Sequence, residues 1–156
     1  MKKLILLICV FVMLIAATGA VSAAKPAPDT FTITGTTGFC GFEVLPTGHE
    51  QYCFTAEGDV TGYFDGDFTF IERVDYDPAT GKVKNEGVVT ITTPDGTAIV
   101  QFEGEADAAS VWGEFEVEKK KGTGAYTKIK GEGDYTGGAA YPGYPFSVTF
   151  TGKLKG

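Results

Sequence analysis

Beyond residue 23, this 156-residue chain holds one histidine, His49, and two serines, Ser110 and Ser147, neither inside a Gly-x-Ser-x-Gly turn. Acyl transfer needs a nucleophile, a base and an orienting acid in one place, so this inventory excludes a hydrolase of the triad type. Cys40, Cys53 and His49 would supply three donors to a metal, one short of a closed tetrahedral site, so no metal is expected. No cofactor motif is present either. In an oxidising compartment the two cysteines read as a disulfide closing a short loop.

Carboxylates are plentiful, in the pairs Asp65-x-Asp67, Asp75-x-Asp77 and Glu103-x-Glu105 and the run Glu114-x-Glu116-x-Glu118. None forms the alternating oxygen-ligand loop ending in Glu that calcium favours, so they read as turn formers and a wet face. Glu72 differs, because it shares parity with Phe68 and Phe70 and points inward if the strand is regular. An inward carboxyl in an apolar lumen has a raised pKa and serves as an acid or a ligand anchor. Arg73, the sole arginine, would supply the opposite charge if a bulge turned it inward. The alternative is that the strand ends here and both residues sit at the rim. Trp112, Tyr126, Tyr135, Tyr141 and Tyr144 form a second candidate group, a mouth that stacks on a sugar or an apolar ligand, although packing explains them equally well.

The elements that would position these residues are strands. Phe31-Thr-Ile33-Thr alternates apolar and polar, and so do Tyr52–Val60, Phe68–Ile71, Val88–Thr92, Ala98–Phe102, Val111–Val117 and Phe146–Phe150; Glu132–Thr136 brings the count to about eight. Asp77-Pro-Ala-Thr-Gly81 and Thr93-Pro-Asp-Gly96 place Pro and Gly where hairpins need them. A succession of hairpins leaves edges to manage, and closure removes them, so the expected fold is all-β: a small closed antiparallel barrel. Gly58, Gly62, Gly104, Gly113, Gly131 and Gly133 suit the tight bending that such a barrel requires.

At the N-terminus, Met1-Lys-Lys3 followed by apolar Leu4–Ala17 and the small residues Val21-Ser-Ala23 reads as a signal peptide over 1–23, cleaved after Ala23. The apolar run is shorter than the roughly 20 residues of a membrane helix, so no span is expected after processing. A leader over 24–30 and one domain over 31–156 follow, outside the cytoplasm: secreted, periplasmic or otherwise extracytoplasmic. Removing Lys2 and Lys3 with no acid leaves 11 bases against 20 acids, a formal charge of −9. The basic runs Lys119–Lys121 and Lys128-x-Lys130 are flanked by acids in a chain of net negative charge, which argues against nucleic acid as a partner.

From Gly122 the chain reads Gly-Thr-Gly-Ala-Tyr126-Thr-Lys-Ile129-Lys-Gly131-Glu-Gly133-Asp-Tyr135-Thr-Gly137, followed after a loop by Phe146-Ser-Val-Thr-Phe150-Thr-Gly152. This resembles the C-terminal glycine-rich hairpin of the allene oxide cyclase-like and dirigent-like barrels. The resemblance implies an eight-stranded barrel, often a homo-oligomer among relatives, with an apolar interior that in some members holds a small hydrophobic ligand. It carries over no catalytic set. On the residues themselves, Tyr126 and Ile129 plug one barrel end and Gly131 and Gly133 let the next strand bend across it.

The function expected from these readings is a secreted barrel that binds a small hydrophobic ligand or serves as a non-catalytic extracellular module, with Glu72, Arg73, Trp112 and Tyr126 as candidate ligand contacts. The alternatives are a cyclase- or dirigent-type enzyme that orients an apolar substrate, and an envelope interaction protein that uses its outer surface. Whether Glu72 faces an open lumen, or one filled by Phe and Tyr rings, separates them.

Overall fold

The computed structural model describes residues 27–156, so the signal expected over 1–23 lies outside the described residues. Eight strands follow in order: β1 (Asp29–Val44), β2 (Glu50–Gly62), β3 (Gly66–Asp77), β4 (Lys82–Thr93), β5 (Gly96–Ala106), β6 (Ser110–Val117), β7 (Lys130–Gly138) and β8 (Pro145–Lys155). Each pairs antiparallel with its neighbours in sequence, and β8 returns to β1, closing the barrel. β1 starts at Asp29, inside the expected leader, and several strands run past the bounds that alternation suggests.

Alternation does decide which face is dry. Phe31 and Ile33, Ala56 and Val60, Phe68 and Phe70, Val89 and Ile91, Ala98 and Val100, Phe115 and Val117, and Phe146, Val148 and Phe150 are all buried, and their sequence neighbours point out. The β3–β4 hairpin is built by its turn residues: Gly81 has φ 70°, and the Asp77 carboxylate accepts from the Ala79 amide (2.9 Å) and the Thr80 hydroxyl (2.6 Å).

The barrel is strongly sheared. A path along paired residues leaves Asp29, crosses Gly152, Gly133, Phe115, Phe102, Gly87, Glu72 and Phe54, and returns to β1 at Phe39, ten residues further on. With strands about 4.8 Å apart and rising about 3.3 Å per residue, that stagger tilts them by roughly 40°. Two consequences matter for a site. Rings from distant strands reach the axis together: Phe31 lies between Phe64 (5.0 Å), Phe115 (5.8 Å) and Phe150 (4.6 Å, stacked). The rim is also uneven, since β1 pairs with β8 only from Asp29 to Thr36 and then continues to Val44 against β2 alone.

One end of the barrel is plugged by Phe64, from the β2–β3 turn, and by Ile129, from the segment joining β6 to β7. A single 3-10 turn, Gly124–Tyr126, lays Tyr126 edge-on against Phe64 at 5.4 Å. The other end, the mouth, carries the β1–β2, β3–β4, β5–β6 and β7–β8 loops. Among the described residues no helix is long and apolar enough to cross a membrane.

Candidate binding site at the barrel mouth

β3 stays in regular register with β2 and β4 through residue 72 and on to Asp77, so parity carries the Glu72 side chain into the barrel, where the residue is 8% exposed. Across β4, Asn85 shares the inward parity of Val89 and Ile91 and is also buried. Its Nδ2 donates to Glu72 Oε1 at 2.9 Å, and the Tyr135 hydroxyl from β7 donates to Asn85 Oδ1 at 3.0 Å. Three strands thus contribute one polar chain to a largely apolar interior of aromatic and aliphatic side chains. Buried polar groups cost free energy unless paired, and this chain pairs them while using only one oxygen of the Glu72 carboxyl.

Burial pushes the Glu72 carboxyl above the usual carboxylate range, and the bond from Asn85 offsets part of that rise. Burial likewise pushes the Tyr135 phenol far up, so the phenol remains a neutral donor. These groups line a cavity of about 30 Å³, bounded also by Phe70, Phe102, Phe146 and Phe150, with Gly138 and Ala140 from the approach to β8 over it. That volume admits a water molecule or a single polar end group. The rings and aliphatic side chains beneath it fill the rest of the barrel, so the lumen is not an open compartment.

The raised Glu72 pKa has a stability consequence whose sign is fixed. The folded carboxyl keeps its proton to higher pH than the same group in the unfolded chain, so its contribution is full below the unfolded value and is lost as pH rises through the folded one. Glu72→Gln, which keeps an acceptor for Asn85, is expected to be more stable than the parent near neutral pH, with the gap closing as the buffer is taken down to about pH 4. Thermal unfolding of both proteins across that range checks it, and a gap independent of pH would contradict the buried-carboxyl account.

The other candidate residues do not join Glu72. No bulge turns Arg73: it points outward, and its Nη1 donates to Glu86 Oε1 at 3.3 Å on the exposed face. The reading that β3 ends at Glu72 is likewise corrected, since five more residues follow in the strand. Trp112 has the parity of Glu114 and lies on the outer wall, 40% exposed. Tyr126 belongs to the plugged end, where its hydroxyl accepts from Thr93 Oγ1 at 3.2 Å. Tyr141 and Tyr144 are exposed in the β7–β8 loop, so the five aromatics form no single mouth. Asn85 was missed, although its parity with Val89 and Ile91 was available as a signal. Cys40 and Cys53 form the expected disulfide.

A second concavity, about 1080 Å³, runs across β1–β7, lined by Phe42 and Tyr52 at one side and by Ile71, Val88 and Gln101 on the outer wall. Carboxylates face one another across it, Glu86 against Glu103, Glu103 against Glu114, Glu114 against Asp134 and Glu116 against Glu132. Each opposed pair costs some tenths of a kcal/mol, roughly, and salt screens it. Among the described residues no group of three His, Cys, Asp or Glu side chains is placed to hold a metal ion. No protein-family model and no curated protein matches the chain.

Proposed function

We propose that this chain is an exported, non-catalytic binding module of the allene oxide cyclase-like and dirigent-like type, which takes the polar end of a small, mostly apolar molecule at its mouth. The observation that carries the reading is the buried Glu72 carboxyl, free at one oxygen, beside a cavity whose other walls are mostly aromatic and aliphatic. The Cys40–Cys53 bridge supports export, since such bonds persist outside a reducing cytosol. A cyclase- or dirigent-type reaction needs room for a whole substrate, and the rings of the barrel occupy that room.

Because burial favours the protonated carboxyl, the site suits a neutral hydroxyl or carbonyl and disfavours a second carboxylate. With 1-decanol and decanoate as probes, titration at neutral pH is expected to show the alcohol bound at least about tenfold more tightly, and Glu72→Leu to abolish the difference. Equal affinity for both probes, or binding of neither, would overturn the reading. A native mass spectrum of protein taken directly from its secretion medium is the companion measurement. A bare polypeptide that also ignores both probes would move the function to the outer surface.

A further inference from the structure

β1 presents an open edge at the mouth. Its pairing with β8 ends at Thr36 opposite Pro145; Thr37 then makes a bridge to Pro142 and accepts from the Gly143 amide. From Gly38 to Val44 the strand is paired with β2 alone. Open edges usually carry Lys, Pro or an inward charge against unwanted pairing. This one reads Gly-Phe-Cys-Gly-Phe-Glu-Val, with a single charge.

The edge is also apolar on one face. Phe39 packs on Phe54 at 6.0 Å, Phe42 on Tyr52 at 5.0 Å, and Tyr52 stacks on Phe54 at 6.3 Å, so these four rings share a side. The register shift between Phe39 and Gly41 is what brings Phe39 and Phe42 to the same face despite their odd spacing. Val44 follows on that face and Glu43 lies on the other. Phe39, Phe42 and Val44 remain 55%, 52% and 61% exposed.

From this geometry we infer that the edge Gly38–Val44 pairs antiparallel with the same edge of a second copy of this chain, joining two barrels through one continuous sheet. The segment can be complementary to itself. With the two-fold axis between Cys40 and Gly41, Phe39 faces the second copy's Phe42 and Glu43 faces its Gly38, and the pairing stops short of Thr37, whose edge the β7–β8 loop already holds. Apolar faces then match and no carboxylate opposes another, which a register moved by one residue would not achieve. The Cys40–Cys53 bridge already holds the edge against β2, so little order remains to be gained on association. A seam of this length is smaller than most stable interfaces, so the association is expected to be weak and concentration-dependent.

Sedimentation equilibrium of the oxidised protein from micromolar to millimolar concentration tests this directly. A monomer–dimer equilibrium is expected, with the Gly38–Val44 amides gaining protection from hydrogen exchange as dimer accumulates. Phe39 and Phe42 are half-exposed at the seam, so Phe39→Lys and Phe42→Lys should each keep the parent far-ultraviolet circular dichroism while weakening association at least tenfold. A monomer throughout the range overturns the inference, as does an oligomer that survives both substitutions or leaves those amides unprotected. A monomer that instead gains edge protection from an added extended apolar peptide also overturns it, because the edge would then serve a different strand.

Discussion

Gly104→Ala is expected to cost about 3 kcal/mol or more and to lower the melting temperature by roughly 10 °C or more. Gly104 pairs with Gly113 across β5 and β6, beneath the Tyr135 ring. A Cβ there would lie 2.1 Å from the Trp112 carbonyl oxygen, 2.6 Å from Tyr135 Oη and 2.7 Å from Gly113 Cα. Two of those atoms belong to backbone fixed by the ladder, so relief requires the strands to separate. The third is the phenol that donates to Asn85. The substitution therefore reaches the candidate site as well as the fold, by displacing the end of the Tyr135–Asn85–Glu72 chain. Gly138→Ala is the control, since a Cβ at Gly138 meets nothing within 4 Å. Urea unfolding of both variants decides the matter: equal stabilities would mean that β5 and β6 do not approach as closely as described.

The same pair of glycines shows what sequence reading reaches. Gly104 and Gly113 announce tight bending, and the alternation of Phe54, Ala56 and Val60 or of Phe68 and Phe70 announces a dry face, because both are local properties of a pleated chain. Closure is legible one step further on, since a run of hairpins has edges to lose. Glu72 is legible as inward for the same reason, by parity with two phenylalanines. Its partners are not. Tyr135 is 50 residues from Asn85, and what brings them together is the ten-residue stagger, which no single strand encodes.

Strand parity and the choice of barrel end explain the misplaced candidates. Trp112 and Tyr126 are aromatic and near the glycine-rich hairpin in sequence, yet the first has outward parity and the second sits at the opposite end of the barrel from Glu72. Parity within Val111–Val117 was enough to send Trp112 outward. The position of Tyr126 depends on which end the β6–β7 connection closes. Arg73 follows Glu72 directly, and in an unbulged strand that adjacency guarantees opposite faces. How fully the lumen is filled was beyond sequence reading too, because it depends on which rings share a level.

The second large effect is expected at the disulfide. Replacing both Cys40 and Cys53 by serine reopens a loop of 13 residues in the unfolded chain, which on the chain-entropy account lowers stability by about 3 kcal/mol. The barrel should nevertheless fold, because the bridge sits on the part of β1 and β2 that rises past Thr36, away from the rings around Phe31. Two mechanisms can be separated by amide exchange in the double variant. If the bridge acts only by restricting the unfolded chain, all slowly exchanging amides lose protection by the same factor. If it also holds the extension in place, the amides of Gly38–Val44 and Gln51–Phe54 lose more than those of β4 and β5, and pairing of two copies through that edge weakens with them. A double variant within about 0.5 kcal/mol of the parent would mean that packing of Phe39, Phe42, Tyr52 and Phe54 alone orders the extension. The edge would then be presented equally well in reducing surroundings, and the disulfide would contribute nothing to the case for export beyond its existence.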